Sequence, residues 1–200
     1  MNDFCWIVYG CSPFIRSIDE KIPYLLENYR SIGINVFPAM FKGCEYWIFN
    51  DNGIFTNIVR KNYHGEKLVM NKNLVPELKM KYFRSGQCVI GDSFLIKPHY
   101  VFEGTDDVSL SDTGKLLYLN NSVLSALNFT LINGAEKVIL AGVDLFPTWE
   151  HFYGGRGKDK NPCYIELIKK QIKLFCNYTD VFKLNKFANI DVDFINVDIL

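Results

Sequence analysis

Short, unbroken apolar runs that end at small or polar residues set the pattern of the chain. FCWIVY, Phe4 to Tyr9, has no polar alternation and stops at Gly10, as expected for a strand covered on both faces in a parallel sheet. Phe14, Ile15, Ile18, Ile22, Leu25 and Leu26 then recur at near-helical spacing, and Pro23 must interrupt or restart that helix. Further strands are predicted around Ile32 to Val36 and at Tyr46 to Phe49, the latter ending in Asn50-Asp51-Asn52-Gly53. Lys67 to Met70 and Gln87 to Ile90 are two more short apolar runs, whereas Lys97 to Asp112 has no convincing period and reads as a loop insertion.

The second half repeats the alternation more clearly. Val123, Leu124, Leu127, Leu131 and Ile132 form the stripe of a sheet-docking helix over Ser122 to Asn133, closed by Gly134. Val138 to Ala141 follows as a strand that ends in Gly142 and delivers Asp144 just beyond. Residues 147–162 read as a second, Gly-rich and basic loop insertion, followed by a helix over Cys163 to Asn177 and strands near Val181 to Leu184 and Val192 to Val197. Alternating strands and helices predict an α/β fold, a single Rossmann-like domain over residues 1–200. Its sheet is open and mostly parallel, with helices on both faces.

Composition narrows the partners. A chain of 200 residues with 48% hydrophobic content can bury a full core. Twenty-two basic and 22 acidic residues cancel, which removes the electrostatic footprint of a protein that grips long nucleic acid. The N-terminal stretch MNDFCWIVYG has neither a basic leader nor a long apolar segment, so no signal peptide or transmembrane segment is predicted and the expectation is a cytoplasmic protein. The six cysteines are scattered without Cys-x-x-Cys spacing, the pattern of reduced thiols rather than of a zinc site. Eleven Tyr and 16 Phe are compatible with a homo-oligomer.

The chemistry-bearing residues fall where strands end. Gly10, Cys11, Ser12 and Pro13 form a strand-to-helix turn of the kind that can present backbone N–H groups to a phosphate, with Gly10 permitting close approach and Pro13 pre-setting the first helical turn. Any tight strand-to-helix turn has a similar composition, and this one is neither a three-glycine dinucleotide fingerprint nor a Walker loop. Asn35, Asn50 and Asp51 can bind base, ribose or sugar hydroxyls, and each can also simply start a turn. Asn121 and Ser122 open the long helix, where Ser122 reads as an N-cap or phosphate contact. Asp144 falls beside the first turn if the two strands are neighbours. His151 offers a general base near neutrality, with Tyr153, Arg156 and Lys158 as polar and cationic company. His64 and His99 read as ordinary surface residues, and no metal ligand set is predicted.

A strand ending in a Gly-x-x-Pro turn that leads into a helix resembles the start of the bacterial CMP-sialic acid-dependent sialyltransferases and of the related 6-hydroxymethylpterin diphosphokinase-like group. Asn35 after SIGI, Asn50-Asp51 after YWIF, Asn121-Ser122, and Gly142-Val143-Asp144 occur in the order that the sialyltransferases use, over roughly two thirds of the chain. The chain departs from them in lacking the second glycine of the turn, in carrying Phe14 where they have serine, and in having its last histidine, His151, close to the Asp144 strand.

The resemblance implies a glycosyltransferase that uses a nucleotide-activated sugar and needs no metal cofactor, with a small-molecule or glycan acceptor. His151 or Asp144 would then act as base, and Tyr153 and Arg156 would stabilise the leaving phosphate. The related group implies instead a diphosphokinase with Mg2+ held by Asp51 or Asp144. A nucleotide-binding or sensing module without chemistry is a third reading.

Overall fold

The structure is a computed structural model that describes residues 2–54, 58–72, 83–84, 87–90, 94–96, 99–111, 114–119, 121–146, 151 and 161–200. Nine strands make one sheet: β1 (Asn2–Tyr9), β2 (Tyr29–Ile34), β3 (Tyr46–Phe49), β4 (Lys67–Asn71), β8 (Tyr100–Thr105), β9 (Lys115–Leu117), β10 (Lys137–Ala141), β11 (Asp180–Lys183) and β12 (Asp193–Phe194). Between β4 and β8 the chain forms a separate three-stranded antiparallel sheet of β5 (Phe83–Arg84), β6 (Gln87–Ile90) and β7 (Phe94–Ile96). The order in the large sheet is β12-β11-β10-β1-β2-β3-β4-β8-β9, and every pairing in it is parallel.

The alternation of side chains along β1 explains why its sequence is apolar throughout. Trp6 and Val8 face one core, under helices α2 (Ser122–Ile132) and α3 (Pro162–Phe175). Cys5, Ile7 and Tyr9 face another, under the 3-10 helix Pro13–Lys21 and α1 (Ile22–Asn28). A strand buried on both faces has no solvent side to keep polar. On the first face Trp6 stacks on Tyr46 at 5.5 Å between ring centroids and meets Phe129 edge-on at 6.2 Å, contacts that contribute about 1 kcal/mol each beyond area burial.

Helix α2 is not the half-exposed helix its stripe suggests, since Leu124 through Thr130 are all buried. Its polar residues are tolerated because they are paired. Asn128 Oδ1 accepts the backbone N–H groups of Ser109 and Leu117 at 3.0 and 2.8 Å, and its Nδ2 donates to Ser109 O at 2.6 Å. A buried amide satisfied in this way stitches the segment before β9 to the helix. Gly134, at φ +80°, ends α2 as expected.

Two expectations need correction. Pro23 does restart a helix, entering at the first turn of α1, but the preceding segment is 3-10 rather than α. The stretch 97–112, read as a loop insertion, contains β8. Only Phe102 of that edge-side strand is fully buried while Val101 and Glu103 are exposed, so a single buried side chain was too weak a signal against the acidic, turn-rich residues that follow. Of the second segment read as an insertion, 147–162, only His151, Asn161 and Pro162 lie among the described residues. Asn161 caps α3 by accepting the Cys163 N–H at 2.9 Å, with Pro162 in its first turn.

Candidate functional site at the carboxyl edge

From β1 the chain steps through β2, β3 and β4 in one direction, and β10, β11 and β12 then extend the sheet from the other side of β1. The order therefore reverses between β1 and β10, and ligands of open α/β sheets bind outside the strand ends at such a switch point. The turn Gly10–Pro13 and the segment Gly142–Leu145 meet there. Gly10 N–H donates to Ala141 O at 2.7 Å and Ser12 N–H to Gly142 O at 3.0 Å.

These contacts change the reason for Gly10. A Cβ at this position would lie 2.2 Å from the Gly142 carbonyl oxygen, so the close approach that glycine permits is to the chain's own backbone. Gly142 in turn sits at φ +68°, against Ile15. The expected cradle is thus partly occupied: two of the turn's N–H groups are committed to the end of β10 and the glycine after it and cannot also hold an anion. Pro13 does open the helix, and Ser12, at the cap position, makes no side-chain cap bond.

What the edge offers instead is side-chain oxygen. Asn35 Oδ1 and Asn50 Oδ1 are buried atoms with no hydrogen-bond partner, and Ser12 Oγ and Asp144 Oδ1 are buried beside one another. They follow β1, β2, β3 and β10, four adjacent strands, whose ends span about 15 Å at the usual strand spacing. Native proteins leave few such atoms unpaired, because each costs about 1–3 kcal/mol.

Local backbone holds these groups in place. Asn35 adopts φ +53°, and its N–H and C=O are bound by Ile48 O at 3.0 Å and by the Trp47 indole N–H at 2.6 Å. Leu145, just after Asp144, also sits at φ +53°, a conformation that costs a non-glycine residue about 1 kcal/mol or more. Asp144 itself is 7% exposed. Burial raises its pKa, and the nearby Ser12 and Asn185 side chains moderate the rise.

The remaining predicted residues sort clearly. Cys11 donates its thiol to Ile34 O at 3.3 Å, tying the first turn to the end of β2. Burial pushes its pKa up to about 11 against opposing hydrogen bonds from the Val36 and Phe37 backbone, so it is a neutral tether rather than a nucleophile. Asn50 Nδ2 reaches Ser125 Oγ at 3.5 Å, and that hydroxyl also donates to Leu117 O at 3.0 Å. Asp51 is exposed, and its Oδ1 accepts the Gly53 N–H at 2.6 Å, the turn-starting role weighed for it. The N-cap of α2 is Asn121, whose Oδ1 accepts Val123 N–H at 2.9 Å. Ser122, read as the cap, is the first helical residue and half-buried. His151 is half-buried, while Tyr153, Arg156 and Lys158 lie outside the described residues.

Three further groups at this edge gave no clear sequence signal. Asn71 is buried at the end of β4. Tyr118 lies beside Asp51 and Tyr164; burial first, then both neighbours' charges, raise its pKa. Tyr164 donates its hydroxyl to Leu119 O at 3.1 Å, fastening another residue at positive φ, +39°. Among the described residues no group of three or more His, Cys, Asp or Glu side chains is gathered as a metal site, and no helix is long and apolar enough to cross a membrane.

An open, parallel α/β sheet with polar strand ends at its switch point defines a Rossmann-like fold. The MAf glycosyltransferase from Magnetospirillum magneticum AMB-1 shares that fold with a TM-score of 0.66 over 99% of this chain, at 13% sequence identity. The chain spans 34% of that protein's length. No protein-family model matches the chain, and no curated protein matches it.

Proposed function

We propose that this chain is a transferase module that binds a nucleotide-activated sugar along the ends of β10, β1, β2 and β3 and passes the sugar to an acceptor hydroxyl. The observation that carries the reading is the set of four buried side-chain oxygens on adjacent strand ends, those of Asn35 and Asn50 without a hydrogen-bond partner. Acceptors without donors suit hydroxyl- and amino-rich ligands, and a ribose, a cytosine or a sugar supplies such donors. The likeness in fold to a protein described as a glycosyltransferase supports the same reading.

In the reaction, the bond between the anomeric carbon and the phosphate oxygen breaks, and a bond from that carbon to the acceptor oxygen forms. The nucleotide leaves with the electron pair. Asp144 or His151 takes the acceptor proton, and a carboxylate whose pKa is lifted by burial is a better base than an exposed one. Tyr153 and Arg156 stabilise the departing phosphate. The sialyltransferase resemblance makes CMP-activated sugars the first donors to test.

The test is a thermal-shift screen against CMP, UMP, GMP and AMP, their diphosphates and nucleotide sugars, and ATP, each with magnesium and with chelator. A ligand that binds only the native state raises Tm, by about 2.7 kcal/mol of stabilisation at a hundredfold excess over Kd. A shift with a nucleotide or nucleotide sugar that survives chelation is the expected result. A shift confined to ATP with magnesium would replace the reading with a diphosphokinase, and no shift with any of them would overturn it.

A further inference from the structure

The loop that follows β11 closes over the Asp144 turn, and one residue in it makes most of the connection. Asn189 donates its backbone N–H to Asp144 O at 2.8 Å and its Nδ2 to Leu145 O at 3.2 Å. Lys169, from α3, donates to Asn189 Oδ1 at 3.3 Å while also pairing with Glu166 at 2.9 Å. An ammonium can only donate and a backbone carbonyl can only accept, so these two neighbours fix which way the Asn189 amide faces. Lys183 donates to the carbonyls on either side of Asn189, to Ala188 O at 3.0 Å and to Ile190 O at 2.7 Å. The residue is therefore held from α3 and from β11 while it grips the two carbonyls that flank the Leu145 backbone.

Such over-determination needs a cause, and Leu145 supplies one. A leucine at φ +53° relaxes toward an ordinary conformation unless its surroundings forbid it. Relaxation would rotate the peptide unit that carries Asp144, whose carboxyl lies at the switch point beside the Ser12 and Asn185 side chains. We propose that Asn189 is a positioning residue: by holding the Asp144 and Leu145 carbonyls it keeps Leu145 left-handed and so aims the Asp144 carboxylate at the crevice between β1 and β10. The aim matters for transfer only if the transferase reading holds, but the clamp itself can be read without any nucleotide.

The experiment compares NMR spectra of the wild-type chain, Asn189→Ala, Asn189→Asp and the double variant Asn189→Ala with Leu145→Gly. Two signals are followed: the strong intraresidue HN–Hα NOE that marks a left-handed residue at 145, and the 13C shift of the Asp144 carboxyl, assigned by its loss in Asp144→Asn. In Asn189→Ala the left-handed signature is lost and the carboxyl signal moves toward that of a hydrated aspartate. Asn189→Asp keeps the backbone N–H and the Lys169 partner but turns the Leu145 donor into an acceptor, so it gives the same result even if the alanine variant fails to fold. Glycine adopts positive φ without strain, so Leu145→Gly returns the carboxyl signal to its wild-type position.

Unchanged signals in a folded Asn189→Asp variant, or no return in the double variant, would overturn the proposal. Once a donor is in hand, the same single variants lose about 10- to 100-fold in transfer rate, as expected for a misplaced catalytic group. A wild-type protein that shows the clamp but binds no nucleotide would instead count against the transferase reading alone.

Discussion

The two edges of the sheet treat their polar groups in opposite ways. At the amino edge, Arg30 of β2 makes paired hydrogen bonds at 3.0 Å to both oxygens of Glu45, and a third to the Tyr46 hydroxyl at 3.0 Å. Its guanidinium lies 4.0 Å over the Trp6 ring, and Lys67 of β4 completes the set at 3.1 Å from Glu45. At the carboxyl edge, the Asn35 and Asn50 side-chain oxygens are buried with no hydrogen-bond partner, the Asp144 carboxyl is buried with only the neutral Ser12 and Asn185 side chains beside it, and three residues, Asn35, Leu119 and Leu145, are held at positive φ nearby. Desolvating a polar group is costly unless it is paired. The charged groups of the amino edge offset that cost inside the protein, although the Trp6 indole N–H there is buried without an acceptor, and the carboxyl edge leaves the cost standing at two amide oxygens and at a carboxyl with no cation beside it, the arrangement expected where a ligand supplies the missing partners.

That contrast can be broken most severely at the switch point. Gly10→Ala drives a Cβ to within 2.2 Å of the Gly142 carbonyl, and we expect a loss of about 4 kcal/mol or more, measured by urea unfolding. A well-folded alanine variant would show that the junction of β1 and β10 is looser than described.

At the amino edge, Glu45→Ala strands Arg30 and Lys67, and we expect a loss of about 2 kcal/mol with no change in nucleotide-induced Tm shift. Burial opposes ionisation of Glu45, but the hydrogen bonds and charges of Arg30 and Lys67 outweigh it and hold its pKa below the ordinary value. Its stabilisation is therefore complete above the unfolded carboxyl pKa, about 4.3, and is lost as pH falls through the lower folded value. Acid unfolding of the variant should lack that component.

The smallest effect has the opposite sign. Burial raises the Asp144 pKa, so the folded chain keeps this proton where the unfolded chain has released it. Stability falls as pH rises from the ordinary carboxyl value to the raised one, and levels off above it. Asp144→Asn should remove that fall and gain about 1 kcal/mol near neutral pH, while abolishing transfer, as expected where function is kept at the expense of stability. Loss of stability in this variant would mean that the carboxylate serves the fold.

Much of the carboxyl edge was legible because the signal was local. Each buried strand stops where a polar residue appears, so Ser12, Asn35, Asn50 and Asp144 announced their places one after another along the chain. What was hidden depended on partners far away in sequence. Gly142 decides why residue 10 is glycine, and Asn189 grips a turn some forty residues earlier. Neither pairing leaves a periodic trace. Strand β8 escaped because an edge-side strand with one buried residue, Phe102, has almost no pattern to read.

The contact between Gly10 and Gly142 also orders events in time. After β1 is made, its neighbour β10 follows only after five other strands of the large sheet and the small antiparallel sheet. Such non-local pairing is slow to form, because chain entropy is lost before the contact repays it. A nascent chain can therefore assemble β1 through β4 long before it owns a binding crevice, and a metabolite present during synthesis can stabilise only the finished product.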